Sequence, residues 1–77
     1  MSSIRFAKLR LVVYPNDHPP PHVHVMGQDW EMRIALSQPP SVLSILGKPK
    51  RQEVATALLA VNEKLLVLLM MWSNLHG

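Results

Sequence analysis

Four prolines fall within seven residues, at Pro15, Pro19, Pro20 and Pro21. Each removes a backbone donor and holds φ near about −65°, so neither a β-ladder nor a helix runs through this stretch. It reads as a stiff loop in extended or polyproline geometry. Regular structure before it must end near Tyr14, and regular structure after it restarts near His22.

The residues on either side read as strands. Ile4 to Tyr14 is rich in β-branched and aromatic types with partial alternation and reads as strand, with Ala7-Lys8 the one place where an interruption would give a short strand near 3–6 and a longer one near 9–14. His22-Val23-His24-Val25-Met26 alternates strictly. Gly27-Gln28-Asp29 is a turn signal, and Trp30, Met32, Ile34 and Leu36 alternate again, which predicts a hairpin. Gln38-Pro39-Pro40 ends that strand, and Val42–Leu46 is a candidate short strand before Gly47. Pro49 suits the first turn of a helix. Beyond it Val54, Leu58, Val61, Leu65, Leu68 and Trp72 recur at spacings of four and three, a single apolar stripe. Asn74 and Gly77 supply terminator chemistry. The expected fold is α+β, in a single domain over 1–77. It has a small antiparallel sheet of three to four strands (about 3–14, 22–26 and 30–36, with 42–46 as the fourth) on one long C-terminal helix over about 49–75.

Composition narrows the function classes. The chain has 77 residues and no cysteine, which excludes disulfide scaffolds, thiolate zinc fingers, iron–sulfur clusters and a cysteine nucleophile. An apolar share of 48% argues for a folded globular domain rather than disorder. Charged residues stand where a signal peptide has its apolar run, and the longest unbroken apolar stretch, Leu65–Trp72, is eight residues against the roughly 20 that cross a bilayer. A cytoplasmic protein with no membrane partner is therefore the expectation. A net charge of +3 is a mild pull toward nucleic acid or an acidic partner. Its cations form two small groups, Arg5/Lys8/Arg10 and Lys48/Lys50/Arg51, which read equally well as solvated surface.

The chemistry concentrates in Asp17-His18-Pro19-Pro20-Pro21-His22-Val23-His24-Val25, which holds three of the four histidines. On a strand His22 and His24 share a face, with Cα atoms roughly 6.5–7 Å apart. Folding strands 9–14 and 22–26 back around the proline loop puts Tyr14 opposite His22 and Val12 opposite His24. The following hairpin then pairs Val25 with Met32, Val23 with Ile34 and His24 with Arg33. Apolar residues fall on one face and Tyr14, His22, His24 and Arg33 on the other. With the helix covering the valines, the histidines are expected to look away from the core.

Three readings of this segment stand side by side. The histidines pin loop carbonyls and fix the proline turn, with Asp17 capping the same turn. Alternatively His18, His22 and His24 are the ligand set of an open zinc, nickel or copper centre, with Asp17 as a ligand or an orienting group. The charge of Arg33 beside a divalent cation weighs against that reading. Finally, His22 and His24 act as catalytic acid and base on a phosphodiester, with Arg33 stabilising charge on phosphorus and Tyr14 orienting or donating.

The run DHPPPHVHV, the glycine-turn hairpin and the terminal W-S-N-L-H-G resemble a family of small prokaryotic proteins, domain of unknown function 4160. Its members carry D-H-x-P-P-H-x-H-V near residue twenty, then short strands and a helix ending in Trp and often His-Gly. Asp17, His18, Pro20, Pro21, His22, His24 and Val25 match the run, and Trp72, His76 and Gly77 match the tail. The resemblance implies no established activity. It does imply a small neighbour-encoded protein partner, since members are often encoded in arrangements like toxin–antitoxin pairs, and this lends weight to a role on RNA. The first expectation is thus a small bacterial protein with a histidine-lined surface, a toxin–antitoxin component acting on RNA with a protein partner. Its alternatives are a metal-binding module without catalysis and a pure interaction subunit with structural histidines. The chain departs from the family in its apolar run: Leu66, Val67, Leu69, Met70 and Met71 exceed what one helix face needs. They are expected to drive self-association unless segment 37–46 covers them or the methionines fill an irregular core.

Overall fold

The computed structural model describes residues 1–77. The sheet comprises β1 (Ser2–Phe6), β2 (Leu9–Val13), β3 (His22–Met26), β4 (Glu31–Ala35) and β5 (Ser41–Leu46), followed by helices α1 (Arg51–Glu63) and α2 (Leu65–His76). The strands lie in chain order and every adjacent pair is antiparallel. The fold is α+β, as expected, with two differences of detail.

The first difference is the strand number, five rather than three or four. Ala7-Lys8 does more than interrupt a strand. Phe6 pairs with Leu9, so these two residues are a complete chain reversal, and Ala7 takes a positive φ of 54° to make it. At the other edge Ser41–Leu46 is a full strand, joined to β4 with a register irregularity between Arg33 and Ile34. Two X-Pro peptides, Pro19–Pro20 and Gln38–Pro39, are cis.

The second difference is the helix. The expected single element over about 49–75 is two helices that meet at Lys64 with a bend of 71°. A straight helix of that length would run to about 40 Å at 1.5 Å per residue. Five strands spaced about 4.8 Å apart cover far less, and the whole molecule measures 35 × 21 × 20 Å. Bending lets both halves of the stripe reach the sheet: Ala57, Ala60 and Val61 of α1 and Leu68 and Trp72 of α2 are buried, with Val54, Leu58 and Leu65 packed at the margin. Neither helix alone is long and apolar enough to cross a membrane.

The sheet contributes Leu11, Val13, Val23, Val25, Met32 and Ile34 to the same core. The register agrees with the alternation read from the sequence: Val25 faces Met32, Val23 faces Ile34, His24 faces Arg33, and Val12 faces His24. Tyr14 and His22 do not pair, because β2 ends at Val13 and its ladder to β3 ends at the Val12–His24 pair. The start of α1 is tied to the β3–β4 hairpin through Glu53. One carboxylate oxygen accepts the Lys50 backbone N–H at 2.7 Å, and the other accepts the Trp30 indole N–H at 2.9 Å. The surplus apolar residues of α2 divide. Leu69 and Met71 pack against the core, while Leu66, Val67 and Met70 are 77%, 47% and 65% exposed.

Candidate metal centre

The proline loop carries Asp17 back over the end of β3. Its far end is stitched to the sheet by the Leu36 N–H, which donates to the Pro21 carbonyl at 2.9 Å. Asp17 Oδ2 accepts from His24 Nε2 at 2.8 Å and lies 3.2 Å from His22 Nε2. One donor atom from each of Asp17, His22 and His24 can be chosen so that all lie within 4.8 Å of one another.

The two imidazoles are held differently. His22 Nδ1 donates to the Pro20 carbonyl at 2.8 Å, which leaves the lone pair of the neutral ring on Nε2. That Nε2 is buried and has no hydrogen-bond partner; its approach to Asp17 is close but misaligned. His24 lies between two carboxylates, with Nδ1 2.8 Å from Glu31 Oε2 and Nε2 2.8 Å from Asp17 Oδ2. Glu31 reaches it because β3 and β4 are antiparallel: with His24 opposite Arg33, Glu31 is the next residue along β4 on the same face.

His22 is only 4% exposed, which corrects the expectation that the histidines look away from the core. They do lie on the sheet face opposite Val23 and Val25. The proline loop and the end of α2, however, close over that corner. The Trp72 ring lies 5.4 Å from the His22 ring and stacks on His76, with centroids 3.7 Å apart and planes 12° from parallel. His76 Nε2 reaches the Asp17 carbonyl at 2.9 Å and its Nδ1 reaches the Trp72 carbonyl at 2.9 Å. A neutral ring donates to one of these carbonyls and an imidazolium to both.

The remaining residues singled out from the sequence fall around this cluster. His18 is exposed and stands outside the converging set of Asp17, His22 and His24. It follows Asp17 directly on the loop and lines an adjoining cleft of about 450 Å³ with Asn16, His22, Arg33 and Leu43. Tyr14 meets His24 edge to face, with ring centroids 4.8 Å apart, so its contact is packing rather than a hydrogen bond. Arg33 is exposed on β4, and its Nε–H donates to Ser44 Oγ at 2.8 Å. Sequence reasoning overlooked Glu31 and His76. Glu31 was accessible from the predicted register, and His76 stands in the C-terminal motif without any local sign that it reaches the loop.

A family model described as Domain of unknown function (DUF4160) matches residues 9–73. The chain belongs to this family. The DUF4160 match spans the proline loop, both clustered histidines and Trp72, and it ends before His76. No curated protein and no solved structure matches the sequence.

Proposed function

We propose that this protein binds a divalent transition metal, zinc above all, through Asp17, His22 and His24. The observation that carries this reading is His22 Nε2, a buried ring nitrogen with no hydrogen-bond partner, 3.2 Å from a carboxylate oxygen and beside a second imidazole. In the neutral ring that donates through Nδ1, this nitrogen carries the lone pair. A carboxylate facing a lone pair gains nothing from the approach, and a cation between them supplies what both lack. Two nitrogens and one oxygen suit zinc, with nickel and copper as competitors. Donor atoms around a tetrahedral ion with bonds of about 2.0–2.1 Å lie about 3.4 Å apart. The donors here lie within 4.8 Å of one another, with Asp17 Oδ2 at 3.2 and 2.8 Å from the two imidazole nitrogens, so the shifts needed are about 1.5 Å or less. The outer contacts also fit. The Pro20 carbonyl orients His22 and Glu31 orients His24, each on the nitrogen facing away from the ion. Three protein ligands leave a fourth position open.

Zinc or nickel titration followed by NMR tests this directly. The His22 and His24 imidazole signals are expected to move first and to saturate at one equivalent, with Asp17→Asn weakening the effect by at least tenfold. No shift at stoichiometric metal overturns the reading, and a response confined to His76 does the same.

RNA cleavage by His22 and His24 without metal draws less support, because the nitrogen of His22 that would exchange a proton is buried against Asp17. Association with a neighbour-encoded protein or a second copy remains a proposal supported by the exposed Leu66, Val67 and Met70. If α2 self-associates, Leu66→Glu with Met70→Lys gives a folded protein of about half the wild-type mass in sedimentation. A wild type that sediments as a monomer at high concentration removes self-association.

A further inference from the structure

We infer that the open position of this metal centre takes a phosphate-type oxyanion, and that Arg33 is the residue that holds it. The inference rests on the metal reading above and assigns the class of ligand that the site would accept.

Arg33 stands opposite His24 in the β3–β4 register and lines the same cleft as Asp17 and His22. Its Nε–H is committed to Ser44 Oγ on β5 at 2.8 Å, which fixes the plane of the guanidinium. Arg33 forms no ion pair, since the charge pairs in the protein are those of His22 and His24 with Asp17 and Glu31. The two terminal nitrogens are therefore left to an external acceptor. A planar fork with one edge anchored is suited to two parallel hydrogen bonds to an oxyanion.

Charge gives the sign of the ligand. A divalent ion (+2), the Arg33 guanidinium (+1) and the carboxylates of Asp17 and Glu31 (−2) leave a net +1 with both histidines neutral. The same sum answers the objection that an arginine beside a metal is unfavourable. A cation pair facing one cleft repels unless an anion bridges the two, and a phosphate oxygen on the metal with others on the guanidinium is such a bridge. The cleft of about 450 Å³ has room for a phosphate with a small organic substituent. Leu43 gives that substituent an apolar wall, and the exposed His18 stands at the rim with a donor to offer.

Cobalt-loaded protein titrated with inorganic phosphate tests the inference, read by the visible cobalt spectrum and by phosphorus-31 relaxation. Wild type is expected to show a saturable spectral change and strong phosphorus broadening. Arg33→Gln is expected to raise the phosphate concentration needed by tenfold or more without weakening cobalt binding, since it removes a positive charge that repels the metal. Ser44→Ala, which releases the guanidinium plane, should give a smaller loss of the same kind. Cobalt that binds but ignores phosphate overturns the inference and leaves the metal reading standing, as does phosphate affinity unchanged in Arg33→Gln. Acetate that acts as strongly as phosphate also overturns the assignment of ligand class. Cobalt that fails to bind removes the metal reading, and this inference falls with it.

Discussion

Asp17 is held by two distant parts of the chain at once. Its carboxylate is bonded to His24 on β3, and its backbone carbonyl is bonded to His76 at the end of α2. Replacing His76 by alanine removes the ring's hydrogen bonding to the two carbonyls, one bond at a time in the neutral ring, and a ring stack on Trp72. One bond is worth about 1 kcal/mol and the stack about 0.5–1.5 kcal/mol. Destabilisation of about 1.5–2.5 kcal/mol is expected in urea unfolding. With the loop released, zinc affinity should fall about tenfold, the lower end of what groups behind metal ligands contribute. Unchanged zinc affinity in a folded His76→Ala protein would show that the proline loop positions Asp17 unaided. Glu53 offers a separate residue-level prediction. The Lys50 backbone N–H, and after it the Trp30 indole N–H, hold its carboxyl below the usual range. A carboxyl with a lowered folded value stabilises above its unfolded value, near 4.5, and loses that contribution as pH falls through the folded one. The urea midpoint should therefore drop as pH is lowered below about 4.5, and Glu53→Gln should flatten that part of the profile. Equal profiles for the two proteins would refute the assignment.

The β3–β4 hairpin is the element on which the site most depends, because it sets His24, Glu31 and Arg33 on one face. Its closure uses Gly27, whose N–H donates to the Trp30 carbonyl at 3.0 Å. A Cβ on Gly27 would overlap the Trp30 indole ring. Gly27→Ala must then displace that ring and with it the indole bond to Glu53 at the start of α1. A loss of about 1–3 kcal/mol is expected, the usual range for overpacking, together with a shift in tryptophan emission. An unchanged midpoint would mean that the indole relocates freely. The strand content of this hairpin was legible because a period of two is a local property, and its register followed from matching apolar faces. The break at Lys64 was not legible. Neither proline nor glycine stands there, and the apolar stripe runs through it without a change of spacing.

At the scale of the molecule, the proposed centre adds a further tie among elements already joined by ladder and side-chain hydrogen bonds. Asp17 comes from the loop after β2, the histidines from β3, the supporting carboxylate from β4, and the covering Trp72 and His76 from α2. A ligand that binds only the folded state adds about 2.7 kcal/mol of stability at a concentration one hundred times its dissociation constant. For a domain of this size that raises the melting temperature by on the order of 10 °C. Zinc is expected to produce such a rise in wild type and little of it in Asp17→Asn. A zinc-insensitive melting curve would argue that the histidine–carboxylate cluster is a finished structural network without a metal.

Most of the strands, the turn between β3 and β4, the α+β class and the shared face of His22 and His24 were contained in the sequence, while the full count of five strands was not. Each depends on proline chemistry or on the alternation of neighbouring residues, interactions that act over a few positions. The burial of His22, the exclusion of His18 and the entry of His76 were decided only by the tertiary structure. His76 meets Asp17 across 59 positions of chain. That meeting requires α2 to turn by 71° and return over the corner of the sheet. The turn answers the size of the sheet beneath the helix, a quantity set by five strands together and by no stretch of sequence alone.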